Sequence, residues 1–141
     1  ITSTTKTVKI QPKTKDELKD LIKLEVSQQG PDADLNFIDT SLITDMTMLF
    51  WYTDVRNIKI DQWDTSNVVD MSYMATNCEK FNCDLSGWDT SKVTDMNSMF
   101  RGCEKFNCDL SGWDVSSVIR HEDVFDWCPI SDSYKPKFKA Y

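Results

Sequence analysis

The chain has 141 residues, enough for one domain with a core, and 40% of them are hydrophobic, including five Trp and seven Phe, so a disordered polymer is excluded. The net charge of −7 disfavours nucleic acid and other polyanions as partners. No apolar run approaches the roughly 18 residues of a membrane span, so no membrane insertion is expected in this segment.

From the N terminus, the chain opens at Ile1 without Met or a signal-peptide pattern, as a processed or excised piece does. Thr7-Val8-Lys9-Ile10 suggests a short strand. Thr14-x-x-Glu17 is a capping box, with Pro12 just upstream. Leu18, Leu21, Ile22 and Val26 then recur at helical spacing, and Gly30-Pro31 stops the run. A helix from Lys15 to Gln29 is predicted, its apolar stripe lying over the first unit of the repeats.

Beyond residue 37 the chain is a 25-residue repeat. Trp63, Trp88 and Trp113 form one column, each opening Trp-Asp-Thr-Ser or Trp-Asp-Val-Ser, and Ile38-Asp39-Thr40-Ser41 begins the unit above. Ile43, Val68, Val93 and Val118 form another column. So do Met46, Met71 and Met96, with His121 in fourth place. Cys78, Cys103 and Cys128 align under Thr53, and Phe81 matches Phe106. Cys78–Val93 returns almost intact at Cys103–Val118, a match too long for chance. The period is too short for a helix pair and falls in the range of leucine-rich and β-solenoid coils. Phe81–Leu85 and its copy at 106–110 alternate as strands do, separated by turn chemistry at Ser86-Gly87 and Asp89-Thr90-Ser91. Met71–Phe81 suggests a short helical turn.

The expected architecture is an α+β repeat protein, a leucine-rich-repeat-like solenoid of about 25-residue coils with an N-terminal helical cap. Its divisions are 1–37 (strand and helical cap), 38–130 (repeats at 38–62, 63–87, 88–112 and a partial 113–130) and 131–141 (tail or cap).

The phrase Phe-Asn-Cys-Asp-Leu-Ser-Gly-Trp-Asp-Thr-Ser-Lys-Val-Thr-Asp-Met-Asn-Ser-Met-Phe, residues 81–100, resembles the BspA-like leucine-rich-repeat surface proteins. These include a 25-residue repeat class of bacterial surface proteins and mycoplasma lipoproteins. The resemblance covers roughly residues 38 to 125. It implies exposure at a cell surface, adhesion or host-protein binding, and no catalytic residues. Cys83 and Cys108 stand where such repeats usually carry a polar residue.

Three chemistries compete for the cysteines. Cys78, Cys83, Cys103 and Cys108 form two C-x₄-C pairs that could hold a metal, pair between coils, or serve as small buried hydrophobes. Ile58 in the Cys83 column favours the last, so no metal and no cofactor is expected. The Asp columns (Asp39, Asp64, Asp89, Asp114; Asp45, Asp70, Asp95) read as turn caps in preference to calcium ligands. Asn57, Asn82 and Asn107 suggest an amide ladder between coils, and the Trp column reads as core in preference to a sugar platform. His121, the single His, has no nucleophile elbow or phosphate loop to work with, so no enzyme is expected. The expected function is a non-catalytic surface module for protein binding or adhesion, extracellular or at the cell surface. The expected binding face is Lys59, Asn82, Asp84, Asn107 and Asp109. The alternative is a spacer or assembly element of a larger envelope or capsid protein.

Overall fold

The computed structural model describes residues 8–140. The helix α1 spans Lys15–Gln29, as the capping signals require. Thr14 Oγ1 accepts the Glu17 N–H at 3.2 Å, and Glu17 Oε2 reaches back to accept the Lys13 N–H at 2.7 Å. Gly30, at φ 92°, ends it with an N–H donated to Val26 O. Leu18 and Ile22 are fully buried, with Leu21 and Val26 packed at the margin. Lys15 Nζ meets Thr47 Oγ1 at 2.8 Å and Lys19 Nζ meets Met48 O at 3.0 Å, so the helix binds the edge of the first repeat through its lysine heads.

The repeats themselves are not the expected strands. Among the described residues the other regular element is one short 3₁₀ turn, Asp132–Tyr134, and strand-like pairing is confined to isolated parallel bridges. There is no sheet, and the leucine-rich-repeat-like solenoid and its strands at 81–85 and 106–110 do not form. Nor does Val8–Ile10 make a strand: Ile10 pairs in a single bridge with Ile38, and Thr7 lies outside the described residues. Met71–Phe81 is a run of turns without helix.

Local bonding explains the difference. Turn hydrogen bonds recur every few residues, as from Met74 N to Met71 O, Cys78 N to Ala75 O, Phe81 N to Cys78 O and Trp88 N to Leu85 O. Each takes an N–H that a ladder needs. Aspartates take more: Asp64, Asp84, Asp89, Asp109 and Asp114 each accept both N–H and O–H of the Ser two residues on. Backbone at positive φ recurs at Met48, Tyr73, Ser98 and Asp123, and again at Tyr52, Asn77, Gly102 and Trp127, bending each unit twice at the same places.

Between these turns the units lie in register. Met46, Phe50, Met71, Ala75, Met96 and Phe100 each donate an N–H to the carbonyl 24 residues ahead. Side chains add further cross-unit bonds. Trp63, Trp88 and Trp113 donate Nε1–H to Leu35, Ile60 and Leu85 carbonyls, each at 2.9 Å, and all three rings are buried. Thr40, Thr65 and Thr90 donate their hydroxyls to Asp64, Asp89 and Asp114 carbonyls. The Met, Phe and Trp columns fill one continuous core, with Phe100 and Phe106 stacked at 4.2 Å. The tail docks: Leu110 N donates to Tyr134 O, Ser131 N to Asn107 Oδ1, and Phe138 stacks on His121 at 4.6 Å.

Candidate functional site

The five residues expected to form a binding face are all exposed. Lys59, Asp84 and Asp109 occupy one column; Asn82 and Asn107 occupy the column two places earlier. The structure brings Asn82, Asp84 and Asp109 to a shallow groove of 330 Å³, which Cys83, Ser86 and Cys108 also line. Lys59 and Asn107 stand outside it. One oxygen of each Asn and Asp side chain is already engaged within the fold. Asn82 Oδ1 accepts the Asn107 N–H at 3.3 Å, and Asn107 Oδ1 accepts the Ser131 N–H at 3.0 Å. Asp84 and Asp109 cap Ser86 and Ser111. Hydrogen bonds from the Ser111 hydroxyl and N–H hold the Asp109 carboxyl below its ordinary range. The asparagines tie the units together at this surface, and the aspartates close turns within them.

All five cysteines are free thiols. Cys83 and Cys103 are buried, and burial pushes both thiols well up from their ordinary value. Burial pushes Cys78 up to about 12. Each of these thiols faces a backbone carbonyl of the unit above: Cys83 to Arg56 O at 3.2 Å, Cys103 to Ala75 O at 3.1 Å and Cys78 to Phe50 O at 3.7 Å. They pack as small buried groups with a weak donor, held in the thiol form by burial. Among the described residues no three His, Cys, Asp or Glu side chains converge on a common point. His121 Nε2 lies 2.9 Å from Lys139 O, beneath Phe138, so it anchors the tail.

A second site was not foreseen. A pocket of 530 Å³ opens between the first and second units, its lining including apolar Phe50, Trp51, Tyr52 and Val55. Thr53, Asp54, Thr76, Asn77, Glu79 and Lys80 add polar groups to it. Tyr52 is 92% exposed. Trp51 is half-buried, held by its Nε1–H on Tyr73 O at 2.9 Å, with its ring edge-on to both Tyr52 and Tyr73. Arg56 donates to both Asp54 oxygens, which holds that carboxyl low. Thr53 Oγ1 is buried without a hydrogen-bond partner among the described residues. The available signal was the breaks in the columns: Trp51 and Tyr52 stand where later units carry Thr76-Asn77 and Arg101-Gly102.

Exposed apolar side chains recur on equivalent segments of the units. Of the ten large hydrophobics exposed among the described residues, seven (Leu42, Met48, Tyr52, Val69, Tyr73, Ile119 and Trp127) lie on segments 42–52, 67–77 and 117–127. Cross-unit bonds set 42–52 beside 67–77 through Val69 N to Thr44 O, 67–77 beside 92–102 through Thr94 N to Val69 O, and 92–102 beside 117–127 through Ile119 N to Thr94 O, so the segment 92–102, without an exposed large hydrophobic, separates the last group from the others. Among the described residues no helix is long and apolar enough to cross a membrane.

No curated protein and no solved structure matches the chain. A family model does, over residues 20–135, from within α1 through the repeats to the docked tail. By that match, which spans most of the chain, the protein belongs to the family described as Mycoplasma protein of unknown function, DUF285.

Proposed function

We propose that the chain is a non-catalytic, surface-exposed module that mediates protein binding or adhesion. One observation carries the reading: the recurrence of exposed Leu42, Met48, Tyr52, Val69, Tyr73, Ile119 and Trp127 on equivalent segments of the units. Monomeric proteins seldom leave such a set uncovered, and Tyr and Trp are the residues that anchor protein interfaces. The likeness of residues 81–100 to BspA-like surface proteins agrees with exposure at a cell surface. The polar side at Asn82, Asp84, Asn107 and Asp109 is the weaker candidate, because those groups already serve the fold.

The test is binding to a panel of purified cell-surface and matrix proteins, comparing the parent chain with the double variant Val69→Asp, Ile119→Asp. Binding by the parent and its loss in the double variant support the reading. Binding unchanged in that variant but lost with Asn82→Ala and Asn107→Ala moves the interface to the polar side. A chain that binds none of the panel but self-associates is a spacer or assembly element.

A further inference from the structure

We propose that the pocket between Trp51 and Lys80 is a binding site for a neutral carbohydrate. The inference names a ligand class for the adhesion reading above and rests on it. The pocket, at 530 Å³, is within the range of small-ligand sites, roughly 300–1,000 Å³. Its lining combines aromatic and polar groups. Tyr52 offers a freely exposed ring and Trp51 a second ring beside it, fixed in place by its bond to Tyr73 O. A sugar has the matching anatomy: an apolar C–H face that covers an aromatic ring, and hydroxyls around its rim that both donate and accept.

The polar groups suit those hydroxyls. Carboxylates at Asp54 and Glu79 accept, the Lys80 ammonium donates, the Asn77 amide does both, and the Thr76 hydroxyl, whose proton goes to Ser98 O, accepts. A purely apolar ligand would strip water from all of these groups and return no hydrogen bond. An anionic ligand meets a chain of net charge −7 and two carboxylates at the rim. A cationic ligand meets Lys80, and an Asp54 already engaged by Arg56.

The experiment is saturation-transfer NMR on the whole chain with maltotriose, lactose and triacetylchitotriose as neutral probes and sialyllactose as the anionic control. At least one neutral sugar is expected to receive transfer, and sialyllactose less than lactose. Tyr52→Phe keeps the ring and is expected to bind like the parent, whereas Tyr52→Ala is expected to lose about tenfold in affinity. Tyr52 is so exposed that neither change threatens the fold. No transfer to any neutral sugar, or binding indifferent to Tyr52→Ala, overturns the inference. The exposed hydrophobics are tested separately by Val69→Asp with Ile119→Asp, which leaves the pocket lining intact. Protein binding without sugar binding therefore overturns the pocket alone. Sugar binding by a chain that captures no protein of the panel overturns the protein-binding reading alone.

Discussion

Asn77 lies directly over Gly102: a Cβ built on Gly102 would come within 2.4 Å of Asn77 Oδ1 and 3.2 Å of Asn77 Cα. Both residues sit at positive φ, at 62° and 78°, at the same bend of successive units. A side chain at position 102 therefore meets steric crowding and an unfavourable dihedral together. Gly102→Ala is expected to destabilise by about 1–3 kcal/mol, read as a lower midpoint in urea. Gly87→Ala and Gly112→Ala, where nothing lies within reach, serve as controls and should leave the midpoint near the parent's.

Thr53→Val removes a buried hydroxyl that nothing satisfies and keeps its shape. The unliganded chain should gain about 1 kcal/mol in stability. A thermal melt that falls instead means that the hydroxyl is bonded in solution.

The Thr65 hydroxyl is buried and donates to Asp89 O at 3.0 Å. Thr65→Val leaves that carbonyl unpaired and should cost about 1–3 kcal/mol. The same column holds Val115 in the last unit, and its reversal, Val115→Thr, should bring no comparable gain. Equal effects from the two changes would refute the cross-unit bond as the cause.

Hydrogen bonds from serine hydroxyls and N–H groups hold Asp39, Asp89, Asp109 and Asp114 below the ordinary 3.8. Their folded values are depressed, so the stability they contribute is complete above the unfolded value and is lost as pH falls through the folded ones. Urea midpoints should be flat near neutrality and fall as pH drops below 3.8. An onset two pH units higher would point to other groups.

Native alkylation at neutral pH should leave Cys83 and Cys103 untouched and Cys78 nearly so, because burial keeps these thiols protonated. The half-buried Cys108 and Cys128 should react first, and unfolding should expose all five. Mass spectrometry of the native reaction decides it; rapid labelling at Cys103 would be incompatible with this packing.

What could be read from the sequence was what local chemistry or the period itself determines. Thr14, Glu17 and Gly30 bounded the helix because capping acts within one turn. The Trp, Met and Phe columns gave the core because units in register bury like against like. The strands failed for a nameable reason. Phe81, Cys83 and Leu85 alternate because they point inward, but burial at alternate positions does not require a ladder. Asp84 captures the Ser86 N–H and hydroxyl, and Cys78 O takes the Phe81 N–H, so the backbone closes on itself before a strand can run. The same aspartates and asparagines looked available for a partner because their turn and cross-unit roles leave them exposed. The aromatic pocket was missed for the opposite reason: Trp51 and Tyr52 stand in columns whose residue types change from unit to unit, and a search for what repeats passes over what does not.

Bonds from N–H groups to carbonyls 24 residues ahead, with others from Val69 and Thr94 back to carbonyls 25 behind, join each unit to the next at the same positions. Position within the molecule is thus counted modulo the repeat. Excising residues 64–88 would join Trp63 to Asp89, the pair of residue types already found at every such junction, and leave both ends facing surfaces they already fit. Genes for such a chain can lengthen or shorten by unequal exchange between copies, and descendants should differ in length by whole units, with any fractional insertion confined to the outer bends.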